Sequence, residues 1–379
     1  MIRTIVFAQD TLTDSGTERS HLQLFRYFSP EIKVHVVYFY PDHTLLEEYK
    51  SHTASVTYLG SQKGFAWFRN FFSYVSFLRQ ATPDLMVSSL FRSNLLSRMA
   101  SVVTGVPLIG TMVSDSYGEG KFREKSGLGR LKHRFIFFLD YLTSGIPVHW
   151  IANSNSVCKA LSSHLNLSEE RVTVIHRGRD STRIPVWKKR IPGDNQFRFV
   201  YFGRLNKGKG LMELLTAFAQ IQKKISSVEL WLIGEGRFRT ALERSADELG
   251  ISASVSFQGY RPNAVQMITE CDCFIFPSWY EGFSGALIEA MMSGIPIIAS
   301  DIPMNLEALK PNLHGLVFPV RDTASLTRCM ITAIDDQKAL MEMGQEARQE
   351  ALRRFDLSVI ASQYEQVLMH WSGKTKAKK

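Results

Sequence analysis

Two glutamates, Glu281 and Glu289, are separated by seven residues in the run Glu281-Gly-Phe-Ser-Gly-Ala-Leu-Ile-Glu289-Ala-Met-Met-Ser-Gly-Ile-Pro296. A loop of Gly282, Phe283, Ser284 and Gly285 opens the segment, and an apolar run of helical length follows. The pattern predicts a helix starting near Ser284, then a strand over Ile297–Ala299. The first turn of such a helix has backbone N–H groups without intrahelical partners, and these favour a phosphate or another anion. Carboxylates on both sides of an anion site suit a ligand that is phosphorylated and rich in hydroxyls. A nucleotide sugar is both.

A second constellation is cationic. A strand over Phe197–Phe202 ends in Gly203-Arg204-Leu-Asn-Lys207-Gly-Lys209-Gly210, and a helix over Leu211–Gln222 follows. Glycines let a backbone approach a ligand closely, and Arg204 and Lys209 project from the same turn, which suits a diphosphate. Lys207 reads as the solvated member of the three. Gly234-Glu235-Gly236 ends the strand Val228–Ile233 as a tight turn, and Gly259, Tyr260 and Arg261 end the next strand. Near the start, Ser15-Gly16-Thr17-Glu18-Arg19 lies between the first strand and an apolar helix.

The elements that must position these residues alternate along the chain. Strand-like runs cover Thr4–Ala8, Lys33–Tyr40, Val56–Leu59, Leu85–Ser88, Leu108–Thr111, Trp150–Ala152 and Val172–Ile175 in the first half. In the second half they cover Phe197–Phe202, Val228–Ile233, Val255–Phe257, Cys273–Phe276, Ile297–Ala299 and Leu316–Phe318. Segments of helical length and period separate them, so the fold class is α/β, with parallel sheets covered on both faces. At 379 residues, two domains are expected. The stretch Ser181–Gln196, with Pro185, Pro192, Gly193 and Lys188-Lys-Arg190, reads as the linker. The expected division is residues 1–185, residues 186–355, and a closing helix with a basic tail over 356–379.

Two bare glutamates at this spacing would read as a loop carboxylate and a solvated helix carboxylate. With Ala290-Met-Met-Ser-Gly294-Ile-Pro296 attached, the segment resembles the signature of the family-4 retaining glycosyltransferases of GT-B fold. The resemblance runs in motif order from Gly16 to Gly315. It implies two Rossmann-like domains facing across a cleft, with the last helix, near Leu357–Trp371, crossing back to the first domain. It implies a nucleoside-diphosphate sugar donor, UDP ahead of GDP, a glycan or lipid-linked acceptor, retention of anomeric configuration and no metal. Carried over residue by residue, Arg204 and Lys209 contact the donor diphosphate, with the Gly282–Gly285 amides and Gly203 beside them. Glu281 holds sugar hydroxyls at the reacting face, and Glu289 accepts from the ribose. Gly259, Tyr260 and Arg261 fall where the family holds the base, and Gly16 and Thr17 under the donor phosphates.

There are departures. The family often has two glycines where this chain has Ser15-Gly16. Many relatives carry a His after the strand that matches Leu108–Thr111; here that position falls near Val113 with no His beside it in sequence, and Ser114 and Asp115 are the acceptor-side candidates. The closing turn Val174-Ile-His-Arg-Gly178-Arg-Asp180 keeps Gly178 and Asp180 but has His176 and Arg177 in place of Pro and Asn. Two alternatives stay open: a non-catalytic sugar-nucleotide-binding partner of another transferase, and a GT-B epimerase acting on a nucleotide sugar.

Net charge is +9. Residues 1–190 hold 24 Lys and Arg against 15 Asp and Glu, whereas residues 191–379 hold 21 of each, so the excess lies wholly in the first half. That half is expected to meet an anionic membrane surface, and no nucleic-acid-binding signature is present. Lys63–Gln80 places Phe65, Phe68, Phe72 and Val75 in one sector and Trp67, Phe71, Tyr74 and Leu78 in the next, an apolar arc of roughly 180°. Lys121–Leu142 sets Lys121, Arg123, Lys125, Arg130, Lys132 and Arg134 before Phe135-Ile-Phe-Phe-Leu139, the composition of an interfacial helix on anionic lipid. Met1-Ile-Arg runs straight into the first strand, so no secretory leader is expected. Four cysteines make no disulfide framework, and Cys271-Asp-Cys273 has no nearby His to complete a metal site. The expected location is the cytoplasm, peripheral on the inner face of the membrane.

Overall fold

The computed structural model describes residues 2–60, 66–115, 117, 127–190 and 196–374. Lys63, Phe65, Lys121, Arg123, Lys125, Pro192, Gly193 and the tail beyond residue 374 lie outside the described residues. The chain divides into two compact units, Met1–Gly178 with Leu357–Lys379, and Arg179–Asp356. The first crossing thus falls at Gly178 rather than at residue 185. The reason is that the described part of the expected linker is packed. Ile184 is buried in the core of the second unit. Trp187 donates from its backbone N–H to Ser293 O at 2.8 Å and from Nε1 to Cys271 O at 2.8 Å. Arg179 N–H donates to Phe355 O at 3.0 Å, and Arg179 forms an isolated parallel bridge with Asp356.

The strands of the first unit are β1 (Arg3–Gln9), β2 (Ile32–Tyr38), β3 (Ser55–Tyr58), β4 (Leu85–Ser88), β5 (Leu108–Met112), β6 (His149–Ala152) and β7 (Val172–Val174). They form one parallel sheet in the order β3-β2-β1-β4-β5-β6-β7. Its helices are α1 (Gly16–Phe25), α2 (Leu46–His52), α3 (Ala66–Ala81), α4 (Phe91–Thr104), α5 (Gly127–Thr143) and α6 (Asn155–Leu165), and α13 (Leu357–Lys374) returns to this unit from the far end of the chain. Strand side chains alternate between faces. Ile5, Phe7, Val36 and Leu85 meet α1, α2 and α13, which contributes Leu357, Ile360, Ala361 and Leu368. Val6, Ala8, Val37 and Met86 meet α3 and α4 on the other face.

The second unit has β8 (Phe197–Phe202), β9 (Val228–Ile233), β10 (Val255–Gly259), β11 (Cys273–Phe276), β12 (Ile297–Ser300) and β13 (Leu316–Phe318), all parallel, in the order β10-β9-β8-β11-β12-β13. Its α-helices are α7 (Leu211–Gln222), α8 (Arg239–Glu248), α9 (Gly285–Ser293), α10 (Pro303–Ala308), α11 (Thr323–Asp335) and α12 (Gln337–Phe355). Both sheets are doubly wound. The order reverses between β1 and β4 in one and between β8 and β11 in the other, and ligands of such sheets bind beyond the carboxyl ends of the strands at this switch.

Two helices of the first unit leave apolar surface uncovered. On α3, Trp67, Phe71, Tyr74 and Leu78 pack on the core as one sector. In the other sector Val75 is also buried, while Phe68 and Phe72 are 55% and 67% exposed. On α5 only His133 is buried; Leu128, Leu131, Phe135, Phe138 and Leu142 are exposed beside exposed Arg130, Lys132 and Arg134. No helix among the described residues is long and apolar enough to cross a membrane.

Candidate functional site

The switch of the second sheet brings the two constellations together. The turn after β8 runs from Gly203 to Gly210, and the turn after β11 from Pro277 to Ser284. Gly210 has φ +68°, and a β-carbon there would stand 2.0 Å from Pro277 O, so only glycine lets the two turns lie this close. Trp279 N–H donates to Gly208 O at 2.9 Å and locks them. Across this contact Lys209 Nζ bridges to Glu281 Oε1, with both side chains largely buried. Arg204 is exposed and carries no ion pair among the described residues. Its carbonyl accepts from Tyr201 Oη at 3.1 Å. Burial, and then the Glu281 charge, push the Tyr201 phenol well above its usual range, so it stays a donor.

Helix α9 begins where the sequence places it. Ser284 is its N-cap, its Oγ accepting from Leu287 N–H at 3.4 Å. Glu289, one turn in, accepts at Oε1 from Arg179 Nε at 2.5 Å. The Arg179 guanidinium lies over the first residue of the helix: a β-carbon at Gly285 would stand 1.6 Å from its Nη2. Each carboxylate of the pair therefore has one oxygen held by a cation, while its second oxygen has no protein partner among the described residues. Hydroxyl-rich ligands supply the donors such oxygens accept.

Not every candidate falls in this cluster. The Phe283 ring is buried against Phe355, ring centroids 5.4 Å apart, so what this residue brings to the turn is its backbone. Gly282 lies beside it, half-buried. Gly203 N–H donates to Ile233 O and Gly234 N–H to Gly259 O, tying the ends of β8, β9 and β10 in a row. Tyr260 and Arg261 are exposed beyond that row. Cys271 and Cys273 are buried, and burial pushes both thiols upward, so they remain protonated.

In the first unit, Gly16 and Thr17 open α1 at the switch between β1 and β4. Behind them lies a sealed polar network. Glu18 is buried, its Oε1 accepting from Thr11 Oγ1 at 3.0 Å and its Oε2 from Ser15 Oγ. His21 is buried against Gln9 and Ser89, and desolvation followed by the Arg177 charge lowers it to about 4. A histidine does lie near Val113 in space: Thr17, His21, Val113, His176 and Arg177 line one small cavity. Sequence proximity missed this because the two histidines come from α1 and from the end of β7. Ser114 and Asp115 follow β5. Asp115 accepts from Tyr117 N–H at 3.1 Å and stands 3.9 Å from His164 Nε2. Ser114 lines a separate cavity of about 260 Å³ with Arg98, which is buried and paired with Asp140 at 2.6 Å. Arg98 and Arg179 carry no motif signal; a cation inside the closing turn, at Arg179, was the only hint.

Residues 15–183 match the sequence profile described as Glycosyltransferase Family 4, and residues 185–350 the one described as Glycosyl transferases group 1. The chain is 24% identical over 311 residues to N,N'-diacetylbacillosaminyl-diphospho-undecaprenol alpha-1,3-N-acetylgalactosaminyltransferase of Campylobacter jejuni, spanning 79% of this chain and 80% of that protein. It is 27% identical over 200 residues to the glycogen synthase of Mycobacterium tuberculosis, spanning 52% of this chain and 48% of that one. Among solved structures, Anabaena HepE in complex with UDP shares the fold, with a TM-score of 0.82 at 21% identity, over 97% of this chain and 100% of that chain.

Proposed function

As the chain belongs to the family-4 glycosyltransferases of GT-B fold, the two profiles matching residues 15–183 and 185–350, we propose that it moves a sugar from a nucleoside-diphosphate donor to a lipid-linked glycan with retention of anomeric configuration. The observation that carries this is the joining of Lys209 to Glu281, with Glu289 one turn into the adjacent helix. Bond cleavage builds negative charge on the leaving diphosphate. Preorganised donors aimed at that charge lower the barrier without reorganising. Lys209 and Arg179 are each offset by a carboxylate, so Arg204 supplies the uncompensated charge, beside the amides at the start of α9. The open oxygen of Glu281 orients sugar hydroxyls, and that of Glu289 accepts from the ribose. Cations and helix amides already serve the phosphates, so the chemistry runs without a metal. UDP is the expected nucleotide ahead of GDP.

A lipid-linked acceptor and an anionic membrane face are part of the same reading. The Campylobacter relative is named for a diphospho-undecaprenol acceptor. Exposed apolar residues beside Arg130, Lys132 and Arg134 on α5 suit an interfacial helix. Purified protein incubated with UDP- and GDP-sugars and a polyprenyl-diphosphate-linked sugar should form product with the anomeric configuration of the donor, with and without EDTA. Inverted product, or turnover abolished by EDTA, overturns the corresponding part of the proposal. Turnover without acceptor would favour the epimerase reading instead.

A further inference from the structure

We infer that Arg179 is a positioning residue for the ribose: it holds the Glu289 carboxylate in the plane and direction that leave Oε2 for the ribose hydroxyls. The inference rests on the donor reading above and adds to it a residue that the glutamate and glycine motifs do not contain. A glutamate side chain on a helix surface has several rotamers, and its carboxylate turns freely about the last bond. Here Nε of a largely buried arginine takes Oε1 at 2.5 Å and fixes that last bond. The arginine is fixed in turn at its own backbone, by the hydrogen bond to Phe355 O and the bridge to Asp356.

Gly285 completes the device. Its missing side chain leaves the space in which the guanidinium lies, since a β-carbon would come 1.6 Å from Nη2 and 2.4 Å from Cζ. The planar fork of arginine is suited to this, because one edge can bond a carboxylate while its face lies flat on a backbone; lysine offers a single point charge with no such plane. Gly285→Ala therefore acts as a wedge. It keeps the helix amide and a good helix residue, changes no charge, and pushes the guanidinium off Glu289.

The test is affinity for UDP and GDP against their 2′-deoxy analogues, by calorimetry, in the full chain. A hydrogen bond to a charged group corresponds to a preference of about tenfold or more for the ribonucleotide. Wild type should show that preference. Glu289→Gln, Arg179→Val and Gly285→Ala should each reduce it to less than about twofold, and Arg179→Val combined with Glu289→Gln should reduce it no further, as expected for coupled residues. Arg179→Lys should restore only part of it. Thermal melts check that each variant is folded, and Gly285→Ala serves if Arg179→Val is not. Retention of the full preference in folded Arg179→Val or Gly285→Ala, while Glu289→Gln loses it, overturns the role of Arg179 and leaves the donor site standing. Wild type that binds neither diphosphate overturns the donor reading and this inference with it.

Discussion

The two units each open a helix with Ser-Gly beside the switch of a parallel sheet, at Ser15-Gly16 and at Ser284-Gly285, and each lays an arginine over the glycine. Arg177 Nη1 would be 3.5 Å from a β-carbon at Gly16, and Arg179 Nη2 1.6 Å from one at Gly285. The difference lies in the carboxylates. In the first unit both oxygens of Glu18 are consumed, by Thr11 and Ser15, and the residue is 2% exposed. In the second, Ser284 caps its own helix, and Glu281 and Glu289 each keep one oxygen open among the described residues. Similar local grammar thus builds a sealed network in one unit and a receptive one in the other. What separates them is hydrogen-bonding capacity left over, which a motif does not record.

The comparison can be broken in several places. The largest expected effect belongs to the sealed network and appears in stability. His21 is held neutral, lowered from 6.5 to about 4. Below pH 6.5 the unfolded chain takes up a proton that the folded chain refuses until near pH 4. Stability from this group is therefore complete above pH 6.5 and falls as pH drops towards 4, by on the order of 3 kcal/mol in all. Denaturant melts of wild type and His21→Gln across this range should diverge; parallel curves would mean that the network is not closed to protons.

In the open network the effect should appear in turnover. Arg204→Ala should slow transfer by about a hundredfold or more, as loss of a charge-stabilising donor does, with little change in melting because the side chain is exposed. Wild-type kcat in this variant would remove Arg204 from the diphosphate. A smaller effect separates three carboxylates. Glu289→Gln should weaken UDP binding about tenfold. Glu281→Gln should spare nucleotide affinity and impair transfer, and Glu18→Gln should leave affinity alone while lowering the melting temperature. Equal losses of affinity at all three would erase the distinction between the units. The smallest effect on folding belongs to the exposed face of α5. Phe135→Ser should alter stability by no more than about 0.5 kcal/mol, yet reduce co-sedimentation with anionic vesicles. Binding that ignores lipid charge would separate this face from any membrane role.

The sheets were legible because parallel strands buried on both faces read as short, unbroken apolar runs, as at Cys273–Phe276 and Phe197–Phe202. Helix Leu211–Gln222 was legible because Gly210 punctuates it. The motifs singled out Lys209 and Glu281 separately, but the bridge between them was not legible, because it depends on the two turns lying side by side. Other features leave no local trace. Arg179 meets Glu289 across 110 residues of chain. Ile184 and Trp187 anchor a stretch rich in proline and cations that has no apolar period to reveal its packing. Phe283 sits in the glycine-bearing turn between Glu281 and Glu289 with its ring turned to the core, and Val75 is buried in a sector whose other described members face outward. Periodicity gives a residue's angle on a helix, but the neighbouring helix decides whether that angle is covered.

The return of α13 to the first unit sets an order of events during synthesis. Residues 179–356 are one uninterrupted stretch and can close their core as soon as they leave the ribosome. The first unit emerges earlier but waits, with Ile5, Phe7, Val36 and Leu85 lacking Leu357, Ile360 and Leu368 until that distant helix is made. The half that is translated first is thus the half that finishes last. During that interval its apolar face is open to chaperones, and a nascent chain stalled before Leu357 would leave it so.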